Sequence, residues 1–154
     1  MVRRRGASPT RFPHARVMEG FMHTQQHAST DAVRERTFPC TPDQVRAARR
    51  WAAAVYSEAG ADRDMSETCC LLVSEVVTNS VLHAGGDSFR VRIHRADLRV
   101  EVWDSSCQMP QRRVIGADSE NGRGLELLDL LAPGFAVVCE EGGKSVCFQP
   151  KVSF

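Results

Sequence analysis

The sequence predicts an α+β protein, a two-layer sandwich in which a mostly antiparallel sheet carries helices on one face. Three observations predict this class. The chain has 154 residues, a length that fits a single domain. Two segments with helical apolar spacing lie in its first half, and two pairs of alternating apolar and polar segments follow them. Helices grouped apart from hairpins are typical of an antiparallel sheet covered on one side.

The composition is that of an ordinary globular protein. The chain is 42% hydrophobic and 25% charged, and its net charge is +1. Because no charge excess favours polyanions, we expect no direct nucleic-acid partner. No apolar run approaches the roughly 20 residues of a membrane span, so we expect no membrane partner either.

The positive charge is concentrated at the start of the chain. Residues 1–30 contain five arginines and one glutamate, which gives this segment +4 and leaves −3 for the remainder. Such a segment could be a nucleic-acid-binding arm or a transit peptide, but it lacks the apolar run of a secretory signal. A disordered tail is the favoured interpretation, since the segment has little apolar surface to bury. The predicted organisation is a basic tail over residues 1–32 and one domain over residues 33–152.

Six cysteines are present, and none of them forms a C-x-x-C pair or a Cys/His metal-binding spacing. Without an export signal, the expectation is that all six are reduced thiols of a cytoplasmic protein and mostly fill the core, with Cys107 as the exception because it falls in a predicted loop.

The first elements are a strand and a helix. Residues 33–40 predict an edge strand that Pro39 stops. A helix follows, for which Thr41 is the predicted N-cap, Pro42 the first helical residue and Gly60 the stop.

The remaining elements follow the same reasoning. A second helix is predicted from about residue 65 to residue 83, ended by Gly85 and Gly86. Residues 88–104 alternate as a hairpin, and residues 105–121 form a long polar loop of the kind that often covers a binding site. A short apolar helix over residues 124–131 precedes a final hairpin, which turns at Gly142 and Gly143.

Polar residues inside apolar elements point to a functional site. Glu75, Asn79 and His83 recur every four residues in the second helix, so they lie within about 80° of one another around its axis. An exposed polar face is the alternative. Asp104 ends a strand in phase with Val100 and Val102, which directs a carboxylate toward the core, where it needs a partner.

A glycine pair opens the third helix. Gly122 and Gly124 flank Arg123 directly after the long loop. Glycines let backbone N–H groups approach a phosphate, and a helix N-terminus attracts anions. A G-x-G sequence alone is weak evidence, because it more often marks a simple loop-to-helix turn.

Together and in this order, these motifs resemble those of the GHKL ATPases, whose members include gyrase and the histidine kinases. The sequence EVVTNSVLH (residues 75–83) resembles the family's N-box, Asp104 its G1-box aspartate, and GRGL (residues 122–125) its G2 box. The short chain and the GGKSVCF ending are most similar to the anti-sigma-factor serine/threonine kinases. The resemblance covers about residues 33–149.

The resemblance implies the Bergerat ATP-binding fold, with ATP and Mg²⁺ as cofactors. It implies that Asn79 binds Mg²⁺, that Glu75 is the general base, and that Asp104 accepts a hydrogen bond from the adenine amino group. Gly122, Arg123, Gly124 and Leu125 would contact the nucleotide, and residues 105–121 would form the ATP lid. The implied partners are a sigma factor and an anti-anti-sigma protein of the STAS type, with homodimer formation as a further expectation.

One departure from the family pattern leaves the function open. Many members continue the G1 aspartate as D-x-G-x-G, whereas this chain has DSSCQMP, without either glycine. Three hypotheses therefore remain: a protein serine/threonine kinase that regulates a sigma factor, a non-catalytic ATP-binding switch, and a partner-binding domain that has lost its nucleotide.

Overall fold

A computed structural model describes residues 16–19 and Gly124 by their backbone, and residues 32–106 and 125–151 in full. The described elements are β1 (Arg16–Glu19), β2 (Val33–Pro39), α1 (Asp43–Glu58), α2 (Arg63–His83), β3 (Ser88–His94), β4 (Arg99–Asp104), α3 (Gly124–Leu131), β5 (Ala136–Glu140) and β6 (Gly143–Phe148).

The strands form one sheet in the order β1-β5-β6-β4-β3-β2. All neighbours from β5 to β2 pair antiparallel, and β1 pairs parallel with β5. The predicted α+β sandwich is therefore confirmed, including the edge position of the strand that contains Pro39. Residues 105–121 and the basic tail lie outside the described residues, apart from Ser105, Ser106 and the strand β1. The proposed boundary at residue 33 stays a prediction.

The helices cover one face of the sheet, as the alternation of the strands predicts. Phe89, Val91 and Ile93 of β3 are fully buried, and so is Val100 of β4. Their neighbours along each strand are half-buried or, in the case of Arg99, exposed. The core lies between this face and the apolar sides of α1 and α2. Because Asp104 is in phase with Val100, its side chain enters the same layer.

The helix starts differ in two details from the sequence expectation. α1 begins at Asp43 with Pro42 as N-cap and without a side-chain cap, so the prediction of Thr41 as N-cap was wrong. The Thr41 side chain instead hydrogen-bonds the Asp43 carboxylate, which lowers the pKa of that exposed carboxyl. Gly60 follows the helix at φ +81°, the left-handed conformation that suits glycine, and it ends α1 as predicted. α2 begins two residues earlier than predicted because Asp62 caps the N–H of Met65.

The opposite face of the sheet carries ion pairs rather than a second layer of described helices. Arg92 lies between Glu35 and Glu101, at 2.6 and 3.5 Å, and the guanidinium of Arg90 stacks over Trp103. A groove of about 780 Å³ follows this face, and its walls include Arg92, Glu101 and residues of β5 and β6. None of the predicted site residues that the structure describes lines this groove. Among the described helices, none is long and apolar enough to cross a membrane.

Candidate functional site

Asp104 lies at the end of β4 and is buried beneath α2. The antiparallel register places it opposite Phe89 of β3 on one side and Lys144 of β6 on the other. The residue is only 3% exposed. Directly opposite residues of an antiparallel pair project from the same face of the sheet. The side chains of Asp104 and Lys144 therefore enter the same space between the sheet and α2.

The carboxylate of Asp104 is fully engaged within the protein. Lys144 Nζ donates to Oδ1 at 2.8 Å and to Oδ2 at 3.1 Å. The Ser106 N–H donates to Oδ1 at 2.9 Å, and Ser80 Oγ donates to Oδ2 at 2.7 Å. Lys144 is itself buried. A buried charge pair of this kind is stable only when further hydrogen bonds satisfy its remaining atoms, as Ser80 and Ser106 do here.

Sequence reasoning missed Lys144 and Ser80 as members of this site. Ser80 is one residue after Asn79 in α2 and is buried, whereas its neighbours on either side are half-buried. Nothing in the sequence assigned it to the site, because the hydroxyl of a serine inside an apolar helix usually bonds a backbone carbonyl oxygen of the preceding turn. Its hydroxyl does approach the Val76 carbonyl oxygen at 3.3 Å. One feature of the sequence could have identified Lys144. A lysine within the alternating apolar pattern of the last strand requires a negatively charged partner.

Glu75 and Asn79 lie one turn apart in α2, and both are half-buried. Burial raises the pKa of the Glu75 carboxyl. Within the part of the chain that the structure describes, neither side chain has a hydrogen-bonding or ionic partner. His83, the third residue of the predicted stripe, is exposed at the end of the helix. The stripe thus consists of a half-buried carboxylate, a half-buried amide and an exposed imidazole.

The hydrogen bond from Ser80 to Asp104 connects helix α2, which carries Glu75 and Asn79, with the end of strand β4. It shows how α2 is rotated against β4, with the side chain of Ser80 facing the sheet. Asn79 and Glu75 then lie beside this buried contact, on the border between core and solvent. The sequence pattern alone could not give this rotation, since α2 is apolar on most of its circumference.

The predicted phosphate-binding residues are described only in part. Gly122 and Arg123 lie outside the described residues, as does the predicted lid beyond Ser106. Gly124 is the first residue of α3, as predicted. Leu125 is buried in the core beside Leu128. The nucleotide-binding roles of these four residues stay predictions.

The residues on α2 and the residue Asp104 differ in how well they fit Mg²⁺ and ATP. The half-buried amide of Asn79 offers a hard oxygen of the kind that Mg²⁺ accepts while it retains several waters, and the half-buried carboxylate of Glu75 lies one helix turn away. Among the described residues, no group of three or more histidine, cysteine, aspartate or glutamate side chains could hold a metal ion. Asp104, the residue expected to bind the base, does not fit this role equally well, because Lys144 occupies its acceptor atoms.

Comparison with protein families identifies the domain. The model of the histidine kinase-like ATPase domain matches residues 38–149, a segment that contains Glu75, Asn79 and Asp104 and both hairpins. None of the curated proteins compared with the chain matches it. Because the family match covers most of the sequence and agrees with the observed sandwich, the chain belongs to the histidine kinase-like ATPase domain family.

Proposed function

We propose that this domain binds ATP with Mg²⁺ and acts as a protein serine/threonine kinase of the anti-sigma-factor type. In this proposal it sequesters a sigma factor and is switched by an anti-anti-sigma protein of the STAS type, which it phosphorylates. The observation that carries the proposal is the pair Glu75 and Asn79. Both side chains are half-buried on one face of α2, and neither is engaged by another described residue.

Each of these two residues has a chemical task. Asn79 would hold Mg²⁺ through its amide oxygen, and the bound ion would supply positive charge next to the phosphates. Glu75 accepts the proton of the attacking serine hydroxyl. As the new oxygen–phosphorus bond forms, the bond between the transferred phosphorus and the β-phosphate oxygen of ATP would break, and ADP would leave. The raised pKa of Glu75 favours this role, since a base whose pKa lies nearer to neutral pH accepts a proton more readily.

The test combines calorimetry with phosphate transfer. The wild-type chain should bind ATP in the presence of Mg²⁺, and Asn79→Ala should weaken binding or make it independent of the metal. Transfer from labelled ATP to purified STAS-type proteins should fall at least a hundredfold in Glu75→Gln. Glu67→Gln is the matched control, because Glu67 lies two turns earlier on the same helix in an exposed pair with Arg63. A wild-type protein that is folded but binds no ATP would exclude the proposal.

A non-catalytic, ATP-dependent switch is the second candidate function. The observation that favours it is the engagement of Asp104 by Lys144, together with the missing G1 glycines. In that case ATP binds and changes the affinity of the domain for its partner without phosphate transfer. ATP-dependent binding of the partner without phosphorylation would select this candidate. Partner binding that does not respond to ATP would exclude it.

A further inference from the structure

Lys144 lies where the proposed function requires a nucleotide base to contact Asp104. It is opposite Asp104 across β4 and β6, it is 6% exposed, and it is one of two lysines in the chain. The other, Lys151, is exposed just after β6. The close approach of the strands helps to fix this position. A Cβ at Gly143 would lie 2.0 Å from the Asp104 carbonyl oxygen, so only glycine fits there.

The hydrogen bonds around Asp104 form a closed set. A carboxylate offers about four acceptor positions. Ser106 N, Ser80 Oγ and two contacts from Lys144 Nζ occupy them. The ammonium group has three donors, and these are directed at Oδ1, Oδ2 and, at 3.4 Å, the Ser106 carbonyl oxygen. An incoming amino group therefore finds no unoccupied acceptor on Asp104.

We infer that Lys144 is an internal occupant of the base site, and that an adenine base binds Asp104 only after Lys144 has left it. This inference rests on the proposed ATP binding and adds a determinant of its affinity and base preference. A charged donor is exchanged for a neutral one, so binding of adenine to the wild-type chain is weakened. While Lys144 remains in place, the carboxylate also cannot distinguish a base that has an amino group from one that lacks it.

The decisive variant is Lys144→Thr. Threonine suits a strand and keeps a polar group, but it is too short to occupy both carboxylate oxygens. The variant should bind ATP at least ten times more tightly than the wild-type chain in calorimetry. Its preference for ATP over inosine triphosphate, in which a carbonyl oxygen replaces the amino group, should also increase. Lys151→Thr removes the same charge from an exposed position and should leave both quantities unchanged.

The possible results separate this inference from the proposed function. If the wild-type chain binds ATP and Lys144→Thr binds it no more tightly, the inference is wrong and the proposed function stands. If neither protein binds ATP although both unfold cooperatively on heating, the proposed function and the inference both fail. A gain in ATP affinity that is equal in Lys151→Thr also contradicts the inference, since it would reflect net charge alone.

A second measurement needs no variant and decides the question even if Lys144→Thr does not fold. An amine-reactive ester should modify Lys151 rapidly and Lys144 slowly in the ATP-free chain, as peptide mass spectrometry can report. Saturating ATP with Mg²⁺ should increase the labelling of Lys144 several-fold and leave that of Lys151 unchanged. Unchanged labelling of Lys144 under conditions where calorimetry shows ATP bound would overturn the inference.

Discussion

The ammonium group of Lys144 and the carboxylate of Asp104 form a buried ion pair across β4 and β6, with Nζ 2.8 Å from Oδ1 and 3.1 Å from Oδ2. Both residues are largely withdrawn from solvent. Two residues of opposite charge, 40 positions apart in the sequence, therefore satisfy each other within the core layer of the sandwich. Removal of either one leaves an uncompensated charge in a site of low dielectric constant.

The first prediction concerns this pair. Asp104→Asn and Lys144→Gln should each lower the free energy of unfolding by about 3–5 kcal/mol, because the remaining charge stays buried. The double variant should lose at least about 1 kcal/mol less than the sum of the two single losses. Urea unfolding of the four proteins measures this coupling. Additive effects would mean that the two side chains do not interact in solution.

The second prediction concerns the hydroxyl of Ser80, which donates to Asp104 at 2.7 Å. Ser80→Ala should lower the free energy of unfolding by about 1–3 kcal/mol, since it leaves a buried, charged acceptor short of one donor. Ser74→Ala is the matched control, because the Ser74 hydroxyl bonds only the Cys70 carbonyl oxygen of the preceding helix turn among the described residues. The control should change stability by less than about 0.5 kcal/mol. Equal losses in both variants would contradict the assigned role of Ser80.

The third prediction follows from the raised pKa of Glu75, whose cause is burial. A carboxyl with a raised folded-state pKa stabilises the fold below its ordinary value of about 4.3, and this contribution disappears as pH rises through the folded-state value. At pH 7 the ionised side chain therefore opposes folding. Glu75→Gln should raise the melting temperature at pH 7 by roughly 1–2 °C, a small effect because the group is partly solvated. The difference should vanish near pH 4.

Scanning calorimetry of the wild type and Glu75→Gln at both pH values provides the measurement. A variant less stable than the wild type at pH 7 would show that the carboxylate makes a stabilising contact, contrary to the structure.

The fourth prediction concerns the cysteines, five of which are described and carry free thiols. Burial raises the pKa of Cys69 to about 12, and burial and nearby Glu101 raise that of Cys147 to about 12. Since the thiolate is the reactive form, iodoacetamide at pH 8 should modify exposed Cys139 before either of them. Cys69 should react only after unfolding. Peptide mass spectrometry reports the order, and early modification of Cys69 in a folded sample would disprove it.

The sequence by itself determined the fold class and most elements of the protein. The alternation of β3 and β4, the apolar spacing of α1 and the glycine after α1 are local signals, and each arises from backbone geometry that acts within a few residues. The same patterns placed Asp104 on the buried face of its strand, because the period of two leaves no other choice once Val100 and Val102 are inside.

Only the tertiary structure decided what Asp104 contacts and how α2 is rotated. Strand pairing brought Lys144 opposite Asp104, and the register of a pair so distant in sequence is set by the whole sheet rather than by either strand. The rotation of α2 depends on packing, because its apolar residues surround most of the helix and do not select one face. The sequence therefore drew attention to Glu75 and Asn79 in this helix and not to Ser80. The sequence could locate the carboxylate, but its hydrogen-bonding partners depend on long-range contacts that no local pattern encodes.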